Sequence, residues 1–238
     1  LDIVHEDAAL LVIAKPAGVL THPAEARESG TLAHWILDRY PDLGTIGESP
    51  ERPGIVHRLD KEASGILIIA KTKEMYWHLK KQFQTRAVNK EYTVLAHGII
   101  AADHDVIDFS IDRGVDGRMV SRPHIDRLRV KNVGKEQSGK AALTEFRVEK
   151  RFARFTLLRV KLYTGRTHQI RVHMLAYGNP VVGDEIYINR KLNRKKDKEL
   201  VRLFLHAGKL CFKSLRGEEA RYEAPLPIEL QQFLAGLR

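Results

Sequence analysis

The sequence predicts an α+β protein, a mixed, mostly antiparallel central sheet with flanking helices. Three observations carry this. Segments with a strand pattern come in pairs and triplets with few helices between them, unlike the regular alternation of a doubly wound sheet. Ile66–Ala70 is a continuous apolar run, too short for a helix and suited to a central strand covered on both faces. Helical period appears in four separate places, Thr31–Arg39, Lys73–Arg86, Thr167–Tyr177 and Ile228–Leu237.

Taken in order, Leu10–Ala14 reads as a short buried strand that ends at the turn Lys15-Pro16-Ala17-Gly18. Thr31–Arg39 places Leu32, Trp35 and Ile36 at helical spacing and stops before Pro41, whose ring disfavours a helical predecessor. Lys73–Arg86 spaces Met75, Leu79 and Phe83 four apart. Tyr92–Leu95, Thr144–Val148 and Phe155–Leu162 read as strands. Thr167–Tyr177 is a predicted helix with Ile170 and Met174 on one side, Gly178 as terminator and Pro180 just beyond. Ile228–Leu237 closes the chain as an amphipathic helix. No repeat, low-complexity tract or long linker divides the 238 residues, so one domain over 1–238 is expected.

Composition narrows the function. Hydrophobic residues make up 43% and charged residues 29%, which suits a folded chain and excludes wholesale disorder. The longest apolar run, Ala8–Ala14, falls far short of the ~20 residues of a spanning helix, and no signal-peptide pattern appears. A single cysteine, Cys211, allows no internal disulfide and builds no zinc site alone, which points to a reducing compartment. The expectation is therefore a cytoplasmic protein with no membrane partner. The net charge of +10 favours a polyanionic partner, with a basic surface kept for solubility as the alternative. Basic residues gather in Arg113–Lys140 and in Arg190–Lys198, either of which suits phosphates or a solvated loop.

Two patterns are decoys. Gly134 to Lys140 has the glycine and lysine spacing of a phosphate-binding loop, but the next residue is Ala141, where a Ser or Thr hydroxyl would hold magnesium. The sequence that follows alternates like a strand, whereas a phosphate loop must open a helix. His168 and His173 lie five apart, about 140° around a helix at ~100° per residue, so they do not converge on a metal ion. Ordinary hydrogen-bonded histidines are expected.

Chemistry concentrates in two stretches and part of a third. In Pro53–Lys71 a turn carries His57, Arg58, Asp60 and Lys61, and Ser64-Gly65 leads straight into the apolar strand. A carboxylate on a loop beside a core strand is held by rigid scaffold yet reachable by substrate. Flanking cations favour its ionised form, ready to act as nucleophile or base, unless it merely closes the turn or pairs with Arg58 or Lys61. In Tyr163–His173, Gly165 permits a turn before a helix on which Thr167 and Arg171 share a face, where Arg171 offers its bidentate fork to a carboxylate or phosphate. In Asn89–Leu95, Tyr92 opens a strand, where an inward tyrosine belongs more often to the core.

Together these stretches resemble the RluA-type pseudouridine synthase family. The likeness is carried by His57-Arg58-Leu59-Asp60 with Ser64-Gly65, by Lys90-x-Tyr92, and by Gly165-Arg166-Thr167-His168-Gln169-Ile170-Arg171-Val172-His173. Lys15-Pro16-Ala17-Gly18, Gly183-Asp184 and Leu205-His206-Ala207 look like further landmarks in the family's order. Position 63 is Ala where members usually carry Thr. By the same likeness the chain is expected to start at the catalytic domain, without the small S4-like RNA-binding domain of many relatives, whether naturally or by trimming.

The resemblance implies a single catalytic domain of the pseudouridine synthase fold that isomerises uridine in RNA without metal or other cofactor. Asp60 is then the catalytic residue, attacking C1′ of the ribose or removing the C2′ proton. Arg171 pairs with Asp60, Tyr92 packs on the uracil, and Arg58 fills the space vacated by the flipped nucleotide, with Leu59 and Ile66 near the base. Flipping costs a few kcal/mol, and RNA of this kind is read by shape and loops. Ribosomal RNA is expected over transfer RNA, and the protein is expected to be a monomer. Two rivals remain: a non-catalytic RNA-binding or ribosome-assembly factor that keeps the fold, and an N-glycosidase. The latter needs a second carboxylate, for which Glu62 and Asp184 are candidates by sequence alone.

Overall fold

The structure, a computed structural model, describes residues 1–23, 28–122, 139–189 and 200–238. The basic run Arg190–Lys198, much of Arg113–Lys140 and most of the phosphate-loop decoy lie outside the described residues. The elements in chain order are β1 (Asp2–Glu6), β2 (Leu10–Lys15), α1 (Leu32–Arg39), β3 (Ser64–Ala70), α2 (Lys73–Gln84), β4 (Asn89–His97) and β5 (His104–Ile107). There follow β6 (Ser110–Arg113), β7 (Met119–Arg122), β8 (Thr144–Arg151), β9 (Phe155–Leu162), α3 (Gln169–Ala176), β10 (Leu205–Lys213), β11 (Glu219–Glu223) and α4 (Ile228–Ala235). The pairing is mixed and mostly antiparallel, the α+β class that the sequence predicts.

The chain divides into two compact units, Leu1–Glu91 with His206–Pro227, and Tyr92–Leu205 with Ile228–Arg238. In the first unit the strand order is β1-β2-β3-β10, and β11 pairs with β10. β3 runs antiparallel to β2, Lys15 opposite Gly65 and Leu10 opposite Ala70, and parallel to β10. Every residue of β3 is buried, as its unbroken apolar run requires. Gly65 is where β10 comes closest: its φ is +127°, and a Cβ there would overlap the Ala207 carbonyl. α2 starts at the Thr72 cap, whose side chain accepts the Met75 N–H, and it ends two residues before the predicted Arg86, which turns left-handed at φ 61°.

In the second unit β4, β9, β8 and β5 follow one another, and β6 and β7 form a separate hairpin. β8 starts at Thr144, three residues past Ala141, where the alternating pattern predicts a strand. α3 begins at Gln169, two residues later than periodicity suggests, because His168 adopts a left-handed conformation with φ 54°. Thr167 therefore lies outside the helix and does not share a helical face with Arg171.

The sequence reading left out β1, β5, β6, β7, β10 and β11. β1 and β11 are largely exposed and rich in charge, and β10 mixes His206, Gly208 and Lys209 into its apolar positions, so none shows a clean strand period.

Candidate active site

In the first unit, the loop that carries Arg58 and Asp60 is held by hydrogen bonds on both sides of the acid. The Thr21 hydroxyl donates to the Leu59 carbonyl at 3.0 Å and accepts the Leu59 N–H at 3.3 Å. Beyond Asp60, the Lys61 carbonyl accepts from Lys15 Nζ at 3.3 Å and from the Gly18 N–H at 2.8 Å. Lys15 is 1% exposed, and its ammonium also donates to the Pro16 and Val19 carbonyls. A buried cation can persist there because these carbonyls replace part of its hydration. The Asp60 carbonyl accepts the Ala63 N–H at 3.2 Å, which closes the turn, and buried Ala63 leads into β3. Arg58 is exposed and Asp60 half-buried, which leaves both within reach of a substrate.

Histidines brace this loop. His57 Nε2 accepts the Ile68 N–H of β3 at 3.0 Å, and its ring stacks on Phe83 with centroids 4.7 Å apart. The desolvation that results, with the Lys90 cation adding to it, pushes the imidazole down to about 3. His57 is therefore neutral, with its proton on Nδ1. The Lys90 ammonium sits over the Phe83 ring, 5.9 Å from its centroid, and burial lowers its pKa. The Ser64 hydroxyl lies 2.9 Å from His206 Nδ1, while His206 Nε2 reaches the Ala224 carbonyl. His22 is buried, and burial first, then the charges of Arg52 and Arg58, lowers its pKa against the Pro23 carbonyl.

In the second unit, Arg171 on α3 donates from Nε and Nη2 to the two oxygens of Asp184, at 2.7 and 2.9 Å. The Arg171 and Asp184 side chains are 2% and 0% exposed. Burial alone would raise the Asp184 pKa; the Arg171 guanidinium and the Tyr187 and Ile186 N–H groups outweigh it and hold the carboxyl below its ordinary value. The guanidinium lies 5.1 Å from the Tyr187 ring centroid, and the Tyr187 hydroxyl meets His168 Nδ1 at 2.9 Å. Gln169 holds the N-terminal end of α3: its carbonyl oxygen accepts from Thr164 Oγ1 and the Arg166 N–H, and its amide donates to Leu143 O and Thr144 Oγ1. Thr144 in turn reaches His173 Nδ1, whose Nε2 meets the Phe109 carbonyl. His168 and His173 are thus hydrogen-bonded, as expected of ordinary histidines. Among the described residues no group of three or more acids, histidines or cysteines could hold a metal ion.

Of the residues singled out by sequence, Arg58 and Asp60 stand on one loop of the first unit. Tyr92, 9% exposed in β4, and Arg171 belong to the second. Sequence reading offered the Arg171 fork to a carboxylate or a phosphate, with Asp60 as the partner implied by the resemblance, and did not single out Asp184 for it. It placed Asp184 in the landmark Gly183-Asp184 and among candidate second acids for a glycosidase, and the signal that could have found the pair is an acid directly after a glycine. Gly183 has φ +76°, and a Cβ there would overlap the Arg202 carbonyl. Asp184 is committed to a buried cation and is a poor second acid for glycosidic hydrolysis.

The first unit thus holds an acidic loop beside a buried strand and the second a buried guanidinium–carboxylate pair, in an α+β protein of mixed, mostly antiparallel pairing. The solved structure of human RNA pseudouridylate synthase domain containing 4 matches with a TM-score of 0.74 at 26% identity, covering 98% of this chain and 92% of that one. The chain belongs to the RNA pseudouridylate synthase family, whose model matches residues 9–176. Its curated relatives include the uncharacterized RNA pseudouridine synthase YlyB of Bacillus subtilis, 39% identical over all of this chain and 73% of that protein. Ribosomal large subunit pseudouridine synthase D of Nitrosomonas europaea is 38% identical over all of this chain and 65% of its own length. Against these and a relative from Aquifex aeolicus, the chain spans 56 to 73% of the curated protein's length.

Proposed function

We propose that this chain isomerises uridine to pseudouridine in large-subunit ribosomal RNA, with Asp60 as the catalytic carboxylate. Family membership supports the reaction class, and a relative named for the ribosomal large subunit supports the RNA. The observation that carries the assignment to Asp60 is its loop, hydrogen-bonded through Leu59 and Lys61 on either side while the acid remains half-buried. The reaction breaks the bond from N1 to C1′, turns the uracil, joins C5 to C1′, passes the C5 proton to a base and returns a proton to N1, so product and substrate have the same atoms and oxidation level. Asp60 attacks C1′ or takes the C2′ proton, and both routes need it ionised. Exposed Arg58 occupies the gap left by the flipped nucleotide, where a planar guanidinium stacks and donates as an ammonium cannot. Tyr92 packs on the uracil, and Arg171 orients the charged site. We read the protein as one catalytic domain, monomeric and cytoplasmic, acting on ribosomal rather than transfer RNA.

The test is incubation of the purified chain and its Asp60→Asn variant with transcribed large-subunit ribosomal RNA and, separately, transfer RNA, followed by pseudouridine mapping. The wild type is expected to form pseudouridine in the ribosomal transcript. Asp60→Asn is expected to form none, with RNA affinity changed by less than about tenfold. An active Asp60→Asn would reassign the carboxylate. RNA binding with no product would favour the assembly factor, and free uracil the glycosidase.

A further inference from the structure

Thr21 is 2% exposed and lies between β2 and α1. Its hydroxyl donates to the Leu59 carbonyl and accepts the Leu59 N–H, so one side-chain group satisfies both backbone groups of the residue between Arg58 and Asp60. Thr21 is anchored in turn. Its carbonyl accepts the Ala33 N–H at 3.1 Å, and the Leu20 carbonyl accepts the Leu32 N–H at 2.8 Å, so the first two donors of α1 are spent on this segment. A continuous path of hydrogen bonds therefore runs from α1 through Thr21 to the peptide that carries the acid.

We propose that Thr21 is a positioning residue for the isomerisation, its hydroxyl fixing the direction in which the Arg58 and Asp60 side chains leave the chain. Holding both the N–H and the C=O of Leu59 restrains the two peptide planes that flank it, and rotation of either plane swings the neighbouring Cα–Cβ bond. A carboxylate that must meet a ribose carbon is sensitive to such a swing, since a misplacement of ~1 Å can cost about a hundredfold in rate. Valine matches threonine in shape but offers neither donor nor acceptor. The inference rests on Asp60 being the catalytic carboxylate.

A second buried threonine supplies the control. Thr156, 0% exposed in β9, donates to the Gly98 carbonyl at 2.8 Å and accepts the Ile100 N–H at 3.1 Å. It too donates to one carbonyl and accepts one N–H, from two residues of a loop that carries no proposed site residue. Single-turnover pseudouridine formation on the ribosomal transcript, RNA affinity and Tm are measured for wild type, Thr21→Val, Thr21→Ser, Thr156→Val and Asp60→Asn. Thr21→Val is expected to slow the reaction about 10- to 100-fold with RNA affinity within about threefold, and Thr21→Ser to stay within about threefold of wild type. Thr156→Val is expected to lower Tm comparably while its rate stays within about threefold.

The inference is overturned by a Thr21→Val rate like that of wild type, by Thr21→Ser being as slow as Thr21→Val, or by an equal slowing in Thr156→Val. If Thr21→Val does not fold, Thr21→Ser still decides: a rate near wild type supports the role of the hydroxyl, and a loss of about tenfold overturns it. Asp60→Asn separates the two readings. Full activity there removes the catalytic assignment itself, whereas an inactive Asp60→Asn beside an unimpaired Thr21→Val removes only the role of Thr21.

Discussion

The guanidinium of Arg171 grips both oxygens of Asp184 in a pair with almost no solvent exposure, thirteen residues apart in sequence and braced by two backbone N–H groups. Such a pair is costly to desolvate and more costly to break, because removing one partner strands the other charge. Asp184→Ala is therefore expected to destabilise the protein by about 3–5 kcal/mol in urea unfolding. Arg171→Met combined with Asp184→Leu should recover part of that loss, because neither charge of this pair is then left without the other. Additive losses in the double variant would show that the pair does not act as a unit.

Acid should weaken the fold first through its buried histidines. Burial holds His173 down to about 4 against an ordinary 6.5, although the Phe109 carbonyl and the Asp108 charge favour its protonation. Above pH 6.5 it is neutral both folded and unfolded and contributes no pH dependence. Between 6.5 and about 4 the unfolded chain takes up a proton that the folded chain refuses, so stability falls as pH drops. The loss is on the order of 3 kcal/mol by the lower limit of that window. Urea unfolding at stepped pH should show a shallower decline in His173→Gln than in wild type, and parallel curves would refute the assignment. Asp184 acts lower: its lowered pKa stabilises the fold above the ordinary 3.8, and that contribution is lost as pH falls further.

Local pattern made part of this molecule legible. β3, β9, α1 and α2 lie where runs and periods place them, and the Asp60 loop announces itself by a charged turn before an apolar strand. What joins these parts is remote in sequence. Ser64 meets His206 across 142 residues, and Lys15 reaches Lys61 across 46. Lys15 and His206 stand in landmark motifs, Ser64 and Lys61 beside the acid, yet periodicity speaks only of neighbours within a few positions, so nothing in the sequence paired them. The start of α3 escaped for a different reason. The left-handed turn at His168 sits among the long-range bonds of Gln169 to Leu143 and Thr144 and of His168 to Tyr187, which helix propensity does not register.

The parallel contact of β3 with β10 should be intolerant of any side chain at position 65. A Cβ on Gly65 would overlap the Ala207 backbone, and its φ of +127° is one that L-residues rarely adopt. Gly65→Ala is expected to cost at least ~3 kcal/mol, by forcing the strands apart and straining the backbone. Gly217, with φ +82° and nothing within 4 Å of a Cβ, bears only the conformational penalty. Gly217→Ala should cost ~1 kcal/mol. Thermal unfolding of the two variants would show the contrast, and equal shifts would mean that β10 can move away from β3.

Arg58 should matter to turnover and hardly at all to folding. It is exposed, so Arg58→Ala is expected to change stability by less than about 0.5 kcal/mol. If its guanidinium stacks in the space left by the uridine, losing it removes stabilisation of the flipped state, and pseudouridine formation on the ribosomal transcript should slow roughly 10- to 100-fold. Arg58→Lys should resemble alanine more than wild type, because an ammonium keeps the charge but lacks the planar face. A merely electrostatic contact with phosphate predicts the opposite: lysine would restore the rate, and raising the salt concentration would erase the difference between the variants. Rates for the three proteins at two salt concentrations distinguish these cases.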